Sequence, residues 1–462
     1  MDRRTHIVLV PGFAGFDALG QLDYYSNVTQ SFHIWQAKRD REEPSERDPA
    51  AHATLHYFPG FPTAGVTTRA RLLEAYLARR CARNEFQSDD VIVLVGHSTG
   101  GLDIRQLLSE LTAHDTESVR VDGDTGRAWP VKCDHILKLV RRVVFVSVPQ
   151  RGANIADHVG RNRYLAAWLV TALRLGFNVS QVRSAASLLK SSERWDGRLH
   201  SELLMAVRDA LVEVAQRKTA GRFTAAQARA AHMQIKLWLS HIDADFLAID
   251  DLKTQCENEL KSVARFSDQE RENELRCLDH YDILTRSYAT IGRCPFDEAC
   301  LRRGESPSWY DVLVPSAANP AGTELFYRMA YKLCTIGALG GDGDGRVRAR
   351  VLGTDELRNI EPWENDGIVN TASMLWPDGE NTKLVAADHA DIIGHYRRAE
   401  DPSARWFERN DPLFEQRCCA RKYHTYDIFG SNSSFGDREF QAVWEDILDF
   451  SVGGCRESST SQ

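Results

Sequence analysis

A short apolar segment that ends in a glycine-rich turn constrains this chain more than any other feature of its sequence. Residues 91–95 read Val-Ile-Val-Leu-Val, and Gly96-His-Ser98-Thr-Gly100 follows directly. A β-branched run that passes through Gly-x-Ser-x-Gly into a helical pattern is typical of a strained turn that lifts a serine hydroxyl off a sheet. Side chains at Gly96 or Gly100 would collide with the neighbouring strand and helix. The segment therefore predicts Ser98 as a nucleophile, against the alternative of a glycine-rich turn with an idle serine.

Strand and helix patterns alternate around this segment. Strands are predicted at His6–Val10, Thr54–Phe58, Val91–Val95 and Arg142–Ser147, and helices at Thr68–Arg83 and Gly101–Leu111. Crossover helices between strands imply a parallel sheet whose interior strands are apolar on both faces. From residue 154 to 288 helical patterns replace the strands, most clearly at Arg163–Leu175, Ser201–Lys218, Ala225–Leu239 and Asp268–Leu284.

The chain of 462 residues is long enough for one α/β core that carries an insertion. We predict a core formed by 1–150 and 305–455, a helical cap inserted at 151–304, and a disordered tail at 456–462. The apolar stripes of the cap are read as ordinary core, with a mobile lid over an apolar substrate as the alternative. The charged stretch Arg39–Asp48 is read as a solvated loop.

The composition limits the classes of partner and the location that we expect. The formal net charge is −8, from 57 Lys and Arg against 65 Asp and Glu, and neither sign gathers into a tract, which argues against nucleic acid. No stretch is apolar enough for a signal peptide or a spanning helix, so we expect a cytoplasmic protein as synthesised, with export without a cleavable signal as the alternative. The ten cysteines lack a disulfide framework and a Cys-x-x-Cys pair, so we expect reduced thiols and no zinc.

A serine nucleophile needs a histidine base and an orienting acid, which an α/β-hydrolase sheet supplies late in the chain. Of the late histidines, His389 follows the strand-like run Lys383–Ala387 and is the predicted base, whereas His395 and His424 are read as structural. Six acids could orient it: Asp342, Asp344, Asp355, Asp366, Asp388 and Asp391. The Asn-Asp-Gly turn around Asp366 favours that residue, with an ordinary solvent-exposed turn as the alternative.

The oxyanion that forms when a serine attacks a carbonyl also needs hydrogen-bond donors. The amide after the nucleophile, at Thr99, usually combines with an amide from the loop after an early strand. Here the loop Pro11–Gly15 follows the first predicted strand, and its glycines allow close approach to a substrate. The N–H of Phe13 is therefore the second predicted donor.

Five motifs occur in a characteristic order: Pro-Gly-Phe-Ala-Gly-Phe-Asp, Gly-His-Ser-Thr-Gly-Gly, Ser-Val-Pro-Gln-Arg-Gly-Ala-Asn-Ile-Ala-Asp, Asn-Asp-Gly-Ile-Val-Asn and Asp-His-Ala-Asp-Ile-Ile-Gly. Together they resemble the bacterial true lipases of the α/β-hydrolase superfamily, over most of the predicted core and none of the helical insertion. The resemblance implies an α/β-hydrolase fold. It also implies Ser98 as nucleophile, Asp366 as acid, His389 as base, and Phe13 and Thr99 as oxyanion donors.

The resemblance further implies a structural calcium at Asp391, two positions after the histidine, with Asp342 or Asp344 as a second ligand. A charge that stabilises a helix N-terminus is the alternative for Asp391. Two positions depart from the pattern: Pro11 and Gln150 stand where these lipases commonly have histidine. The departures leave the three catalytic positions intact but alter the support of the oxyanion loop and the expected acyl-chain preference.

The sequence therefore predicts a serine carboxylic-ester hydrolase, a lipase or esterase that acts on acylglycerol or other lipid esters and needs no redox cofactor. A phospholipase or lipid acyltransferase, including an exported effector, is the first alternative. A noncatalytic α/β-hydrolase scaffold for ligand binding is the second. Contact with a membrane surface is compatible with all three, and the sequence leaves the oligomeric state open.

Overall fold

The fold is taken from a computed structural model. It describes residues 4–13, 18–19, 22–42, 52–61, 63–120, 128–161, 247–256, 259–260, 268–313, 325–337, 347–396 and 429–453. The predicted helices Arg163–Leu175, Ser201–Lys218 and Ala225–Leu239, and the predicted tail, lie outside the described residues. In the part of the chain that is described, no helix is both long and apolar enough to cross a membrane.

Eight strands form the central sheet, in the order β13-β12-β14-β11-β8-β5-β1-β4. Their bounds are β1 Thr5–Val10, β4 Ala53–Tyr57, β5 Val91–His97, β8 Val140–Val146, β11 Leu284–Thr290, β12 Arg348–Val351, β13 Leu357–Asn359 and β14 Thr382–Val385. All neighbours run parallel except β13, which is antiparallel to β12. Three two-stranded sheets pair β2 Ala18–Leu19 with β3 Leu22–Asp23, β6 Ser118–Arg120 with β7 Ala128–Lys132, and β9 Gln255–Cys256 with β10 Glu259–Leu260.

Helices cover both faces of this sheet. The described α-helices are α1 Val28–Glu42, α2 Val66–Ala82, α3 Thr99–Ala113, α4 Cys133–Leu139, α5 Asn154–Arg161, α6 Ala248–Asp251, α7 Asp268–His280, α8 Glu298–Arg302, α9 Trp309–Leu313, α10 Leu325–Thr335 and α11 Asp437–Val452. Short 3-10 helices span Thr371–Met374 and Asp391–Ile393. The mostly parallel sheet with flanking helices confirms the predicted fold class and agrees with an α/β-hydrolase fold.

Alternate residues of the central strands enter two different apolar cores. In β1, Val8 and Val10 pack with α2 and α3, while Ile7 and Leu9 pack on the other face with α1 and α11. Every residue of β1 and β5 is buried, as expected for interior strands of a parallel sheet. This two-sided burial fixes the carboxyl ends of neighbouring strands along one edge, where the candidate site lies.

The prediction of a charged loop near the N-terminus requires correction. The stretch read as a charged loop from Arg39 begins inside α1, which ends at Glu42; residues 43–51 lie outside the described part. Buried Val28, Phe32 and Trp35, at helical spacing, fix this helix against the sheet. Arg39 also donates from its guanidinium to Asp449 at 3.0 Å. The charges thus occupy the end of a packed helix.

The insertion predicted at 151–304 is too wide at its C-terminal end. The predicted helix Asp268–Leu284 ends at His280, and Leu284 instead begins β11. This strand lies between β8 and β14 in the central sheet, and α7 packs against α3. The core therefore resumes with α7, because this helix and β11 are part of its layers. The assignment of 162–246 to a cap stays a prediction.

Candidate active site

Ser98 lies at the turn between β5 and α3, at the carboxyl edge of the sheet. Its φ and ψ are 53° and −131°, a backbone conformation that a side chain with a Cβ rarely adopts. Such strain persists at turns where the surrounding structure holds the backbone in place. Here the Ser98 N–H donates to the carbonyl of Val146 at 2.9 Å, which ties the turn to β8.

Close packing explains the glycines of this turn. A Cβ at Gly96 would lie 2.6 Å from the Cα of Gly101, and a Cβ at Gly100 would meet the carbonyl oxygen of Val10. The predicted collisions with helix and strand are therefore confirmed. They let α3 start directly above the sheet, so that its first turn lies at the same edge as Ser98.

His389 and Asp366 form a buried pair beside this turn. The Nδ1–H of His389 donates to Oδ2 of Asp366 at 2.7 Å, and the backbone N–H of His389 donates to the Asp366 carbonyl at 3.0 Å. Asp366 is fully buried and His389 is 8% exposed. Since an ionised carboxylate only accepts, the Asp366 contact assigns the proton to Nδ1 and leaves Nε2 as the basic nitrogen.

The Asp366 carboxylate receives four hydrogen bonds from the described residues. Its Oδ1 accepts from the N–H groups of Ile368 at 3.0 Å and Val369 at 2.8 Å. Its Oδ2 accepts from the Thr290 hydroxyl at 2.6 Å as well as from His389. The Asn-Asp-Gly turn, with Gly367 at φ 94°, directs the carboxylate inward as the sequence suggested. These contacts hold one carboxylate oxygen against the imidazole.

His97 places the His389 loop next to Ser98. The Nε2–H of His97 donates to the backbone carbonyl of His389 at 3.0 Å, and the two imidazole rings lie 4.7 Å apart between centroids. Burial lowers the pKa of His97 well below 6.5, and the neighbouring His389 adds to this effect. His97 is therefore neutral and structural, although it stands directly before the candidate nucleophile.

The loop after β1 is held by its peptide groups. Arg69 donates Nη1–H to the Gly12 carbonyl at 3.1 Å and Nη2–H to the Pro11 carbonyl, while the Gly12 N–H donates to the Tyr24 hydroxyl at 2.8 Å. In a trans peptide the C=O and the following N–H point in opposite directions. Fixing the Gly12 carbonyl on Arg69 therefore fixes the direction of the Phe13 N–H.

This loop also lies directly against the nucleophile turn. A Cβ at Gly12 would approach the Cβ of Ser98 to 2.5 Å. Thr99 is the first residue of α3, so its N–H is among the groups that a helix leaves without an internal partner. The two predicted oxyanion donors thus occupy the two segments that flank Ser98.

The remaining candidates have other roles or fall outside the description. Asp355 is fully exposed and pairs with Arg350. Asp388 is buried, but its Oδ1 accepts the N–H groups of Ala390 and Asp391 and so closes the turn after His389. His395 is buried beside the Tyr24 carbonyl, which agrees with a core role. His424, Asp342 and Asp344 lie outside the described residues.

Asp391, the predicted calcium ligand, accepts hydrogen bonds from its own loop and from the segment before α11. Its Oδ2 accepts from the Asp388 N–H at 2.9 Å and from the Ser433 hydroxyl at 2.7 Å. Among the described residues, no three or more His, Cys, Asp or Glu side chains form a group that could hold a metal ion. These residues alone do not supply a calcium site, and the ion stays a prediction tied to the undescribed Asp342 and Asp344.

Gln150 takes part in a buried polar cluster behind the turn. Arg105 of α3 donates to the Gln150 Oε1 at 2.8 Å and to both carboxylate oxygens of Glu274 at 2.7 Å. Its guanidinium also lies 3.8 Å from the centre of the Trp376 ring. The cluster anchors α3 to α7, so that the helix behind Ser98 is held from two directions.

Sequence reasoning missed four residues that hold the site together: Tyr24, Arg69, Thr290 and His97. His97 stood inside the serine motif, and Thr290 ends a strand that was assigned to the insertion. Tyr24 and Arg69 carry no local signal, because their contacts depend on how distant segments pack. All four lie at the carboxyl edge of the sheet or in the helices above it.

The structure is similar to several lipases and esterases. A Staphylococcus hyicus lipase aligns with 13% identity over 97% of this chain and 95% of its own, at a TM-score of 0.40. Lipase 1 from Pelosinus fermentans shares 18% identity over 85% of this chain and 94% of its own, and a metagenomic carboxyl esterase shares 14% over 98% and 77%; both have a TM-score of 0.34. No protein-family model and no curated protein matches the sequence.

Proposed function

We propose that this protein is a serine carboxylic-ester hydrolase in which Ser98 is the nucleophile, His389 the base and Asp366 the orienting acid. The observation that carries the proposal is the buried contact between His389 Nδ1 and Asp366, held beside the strained Ser98 turn. Hydrolysis of an ester needs an activated hydroxyl, a base of fixed tautomer and donors for the developing oxyanion. We assign these requirements to three adjoining parts of one sheet edge: the Ser98 turn, the His389–Asp366 pair and the loop after β1.

In the proposed acylation step, His389 Nε2 takes the proton of the Ser98 hydroxyl as the oxygen attacks the ester carbonyl carbon. The carbonyl oxygen becomes an oxyanion that accepts hydrogen bonds from the N–H groups of Phe13 and Thr99. The tetrahedral intermediate collapses, the bond to the alcohol oxygen breaks, and His389 gives its proton to the departing alcohol. Throughout, the Asp366 carboxylate stabilises the transient imidazolium.

Deacylation repeats these steps with water. His389 removes a proton from the water, whose oxygen attacks the acyl carbon of the Ser98 ester. The second tetrahedral intermediate collapses, the bond between the acyl carbon and the Ser98 oxygen breaks, and His389 gives its proton to that oxygen as the carboxylic acid leaves. The proposed cycle requires neither electrons nor a redox cofactor.

The proposed substrates are acylglycerol or other lipid esters, on the strength of the five motifs and their order in the sequence. The acyltransferase alternative differs only in the second acceptor, where an alcohol replaces water. The products of triacylglycerol and phospholipid, analysed with and without an added alcohol, separate lipase, phospholipase and acyltransferase. A protein that gives none of these products and resists a fluorophosphonate probe would instead be a noncatalytic scaffold.

The direct test is Ser98→Ala, assayed on p-nitrophenyl esters of several chain lengths. We expect kcat to fall by about 10⁴- to 10⁶-fold, since members of such a unit are not independent. An unchanged melting temperature would show that the variant still folds. Turnover that survives the substitution would exclude Ser98 as the nucleophile.

A further inference from the structure

One buried chain of hydrogen bonds joins the oxyanion loop to the loop of the base. The Gly12 N–H donates to the Tyr24 hydroxyl at 2.8 Å, and the Tyr24 hydroxyl lies 2.7 Å from Nδ1 of His97. Nε2 of His97 lies 3.0 Å from the backbone carbonyl of His389. Tyr24 and His97 are buried, so water competes poorly for these contacts. The chain runs behind Ser98, from one side of the turn to the other.

The ends of the chain determine the direction of every bond in it. A peptide N–H only donates and a carbonyl only accepts, so the Nε2 of His97 must carry the proton that reaches His389. In a neutral imidazole the Nδ1 is then an acceptor, and the Tyr24 hydroxyl must donate to it. Each internal group therefore has one arrangement, and protonation of His97 would reverse the polarity at Nδ1.

The electrostatics of the two side chains keep this arrangement. Burial lowers the pKa of His97 well below its ordinary value and raises the pKa of Tyr24 above its ordinary value. Both groups therefore stay neutral around pH 7, as the fixed direction of the hydrogen bonds in the chain requires.

Each end of the chain holds a peptide group next to a reacting group. At one end, Tyr24 fixes the Pro11–Gly12 peptide, which immediately precedes the peptide that carries the Phe13 N–H. At the other end, His97 holds the carbonyl of His389, whose own N–H is held by Asp366. The backbone of the base is thus fixed on both sides, and so is the approach of the loop to Ser98.

We infer that Tyr24 and His97 are positioning residues that set the oxyanion loop and the base in register with each other. The inference rests on the proposed function, since register matters only if Phe13 and His389 act in the same step. In this role both side chains act through the backbone groups that they hold. Their effect on the reaction is geometric, because a displacement of about 1 Å can cost about 100-fold in rate.

The test compares two neighbouring tyrosines. Tyr24→Phe removes only the hydroxyl that links Gly12 to His97. Tyr25→Phe is the matched control, because Tyr25 is also buried but its hydroxyl donates to backbone carbonyls of β1 and β5, to Val10 at 2.6 Å and Val95 at 3.4 Å. We expect Tyr24→Phe to lower kcat for a p-nitrophenyl ester about 10- to 100-fold with KM within about twofold. Tyr25→Phe should keep kcat within about twofold while lowering the melting temperature similarly.

A double-mutant cycle adds a second readout. His97→Gln can still donate to the His389 carbonyl but has no ring Nδ1 to accept from Tyr24. If the chain acts as a unit, adding Tyr24→Phe to His97→Gln lowers kcat far less than it does in the wild type. Additive effects on kcat would overturn the inference. If Tyr24→Phe does not fold, His97→Gln alone carries the test, because it breaks the same chain at the next link and should lower kcat about 10- to 100-fold with KM within about twofold. An unchanged kcat of His97→Gln would then overturn the inference.

The Ser98→Ala variant, assayed on the same ester, separates failure of the inference from failure of the proposed function. If Ser98→Ala keeps wild-type turnover, both are wrong. If Ser98→Ala is inactive but the two tyrosine variants have equal kcat, only the positioning role is wrong, and Tyr24 contributes to stability alone.

Discussion

Two buried aspartate–histidine pairs lie in different parts of this molecule and differ in what surrounds them. His389 and Asp366 are joined at 2.7 Å at the carboxyl edge of the sheet, and His6 and Asp90 are joined at 3.0 Å where β1 and β5 begin. Both pairs orient an imidazole through a carboxylate. An aspartate–histidine contact is therefore not sufficient evidence for a catalytic site.

The other nitrogen of each imidazole makes the difference. Nδ1 of His6 lies 3.0 Å from Nε2 of His56, so it accepts a hydrogen bond and is occupied. Among the described residues, Nε2 of His389 has no such partner, and the turn that carries Ser98 lies beside it. Asp90 also pairs with Arg4 at 3.0 Å. Among the described residues, the donors to Asp366 other than the histidine are neutral: the Thr290 hydroxyl and two backbone N–H groups. The His6–Asp90 pair closes a structural network, and the His389–Asp366 pair leaves a base available.

The largest expected effect is the loss of activity when the carboxylate of one pair, but not of the other, is replaced by an amide. Asp366→Asn should lower kcat by about 10⁴-fold, because the amide N–H favours the histidine tautomer that cannot accept the Ser98 proton. Asp90→Asn should leave kcat within about threefold. It should instead lower the free energy of unfolding by about 1–3 kcal/mol, because buried donors lose a charged acceptor.

The measurements are ester turnover and thermal or denaturant unfolding of both variants. Equal losses of activity would mean that Asp366 supports the fold in the same way as Asp90, and the proposed acid would be wrong. Activity retained by Asp366→Asn with intact folding would exclude that role more directly.

The sequence predicted the parts of the site that are encoded locally. The Ser98 motif, the Asn-Asp-Gly turn and the loop after β1 are short segments whose conformation follows from their own residues, and the structure brings them to one sheet edge. Parallel strands explain this, because their carboxyl ends meet at the same edge.

The parts that were missed depend on long-range packing. Strand β11 was assigned to an insertion because the helical pattern from Asp268 was read as far as Leu284. Only the pairing with β8 and β14 shows that Leu284 begins a strand. Helix α1 was missed because its charged end hid the apolar stripe Val28, Phe32 and Trp35. The same limit applies to Arg69, whose contacts join α2 to a loop more than fifty positions away.

A smaller effect on kcat is expected when Arg69, which holds the loop after β1, is replaced; Arg4, beside the His6–Asp90 pair, is its control. Arg69 is buried, pairs with Asp103 at 2.7 Å and fixes the carbonyls of Pro11 and Gly12. A lysine lacks the planar fork needed to reach both carbonyls and the carboxylate. We expect Arg69→Lys to lower kcat about 10- to 100-fold, because the Phe13 N–H loses its fixed direction.

The matched control is Arg4→Lys, at the structural pair. The Arg4 side chain is 39% exposed, so its ion pair with Asp90 is screened by water and the substitution should cost less than about 1 kcal/mol of stability. Its kcat should stay at the wild-type value. A drop in kcat of similar size in both variants would show that the Arg69 effect is general destabilisation.

The smallest expected effect concerns how the stability of the protein changes in acid because of His56, which contacts the His6–Asp90 pair. Burial lowers the pKa of His56 from 6.5 to about 4, with help from Arg80 and His6. The unfolded chain therefore binds a proton below pH 6.5 that the folded chain binds only near pH 4, so this contribution to stability is complete above pH 6.5 and is lost as the pH falls to 4.

His56→Gln can keep the donor toward His6 but removes the proton. Between pH 6.5 and 5 it should lose less stability than the wild type by about 1 kcal/mol or less, because His56 is partly solvated. Unfolding curves at pH 7.5, 6.5, 5.5 and 5 measure the difference, and parallel curves for the two proteins would refute a proton linkage at His56.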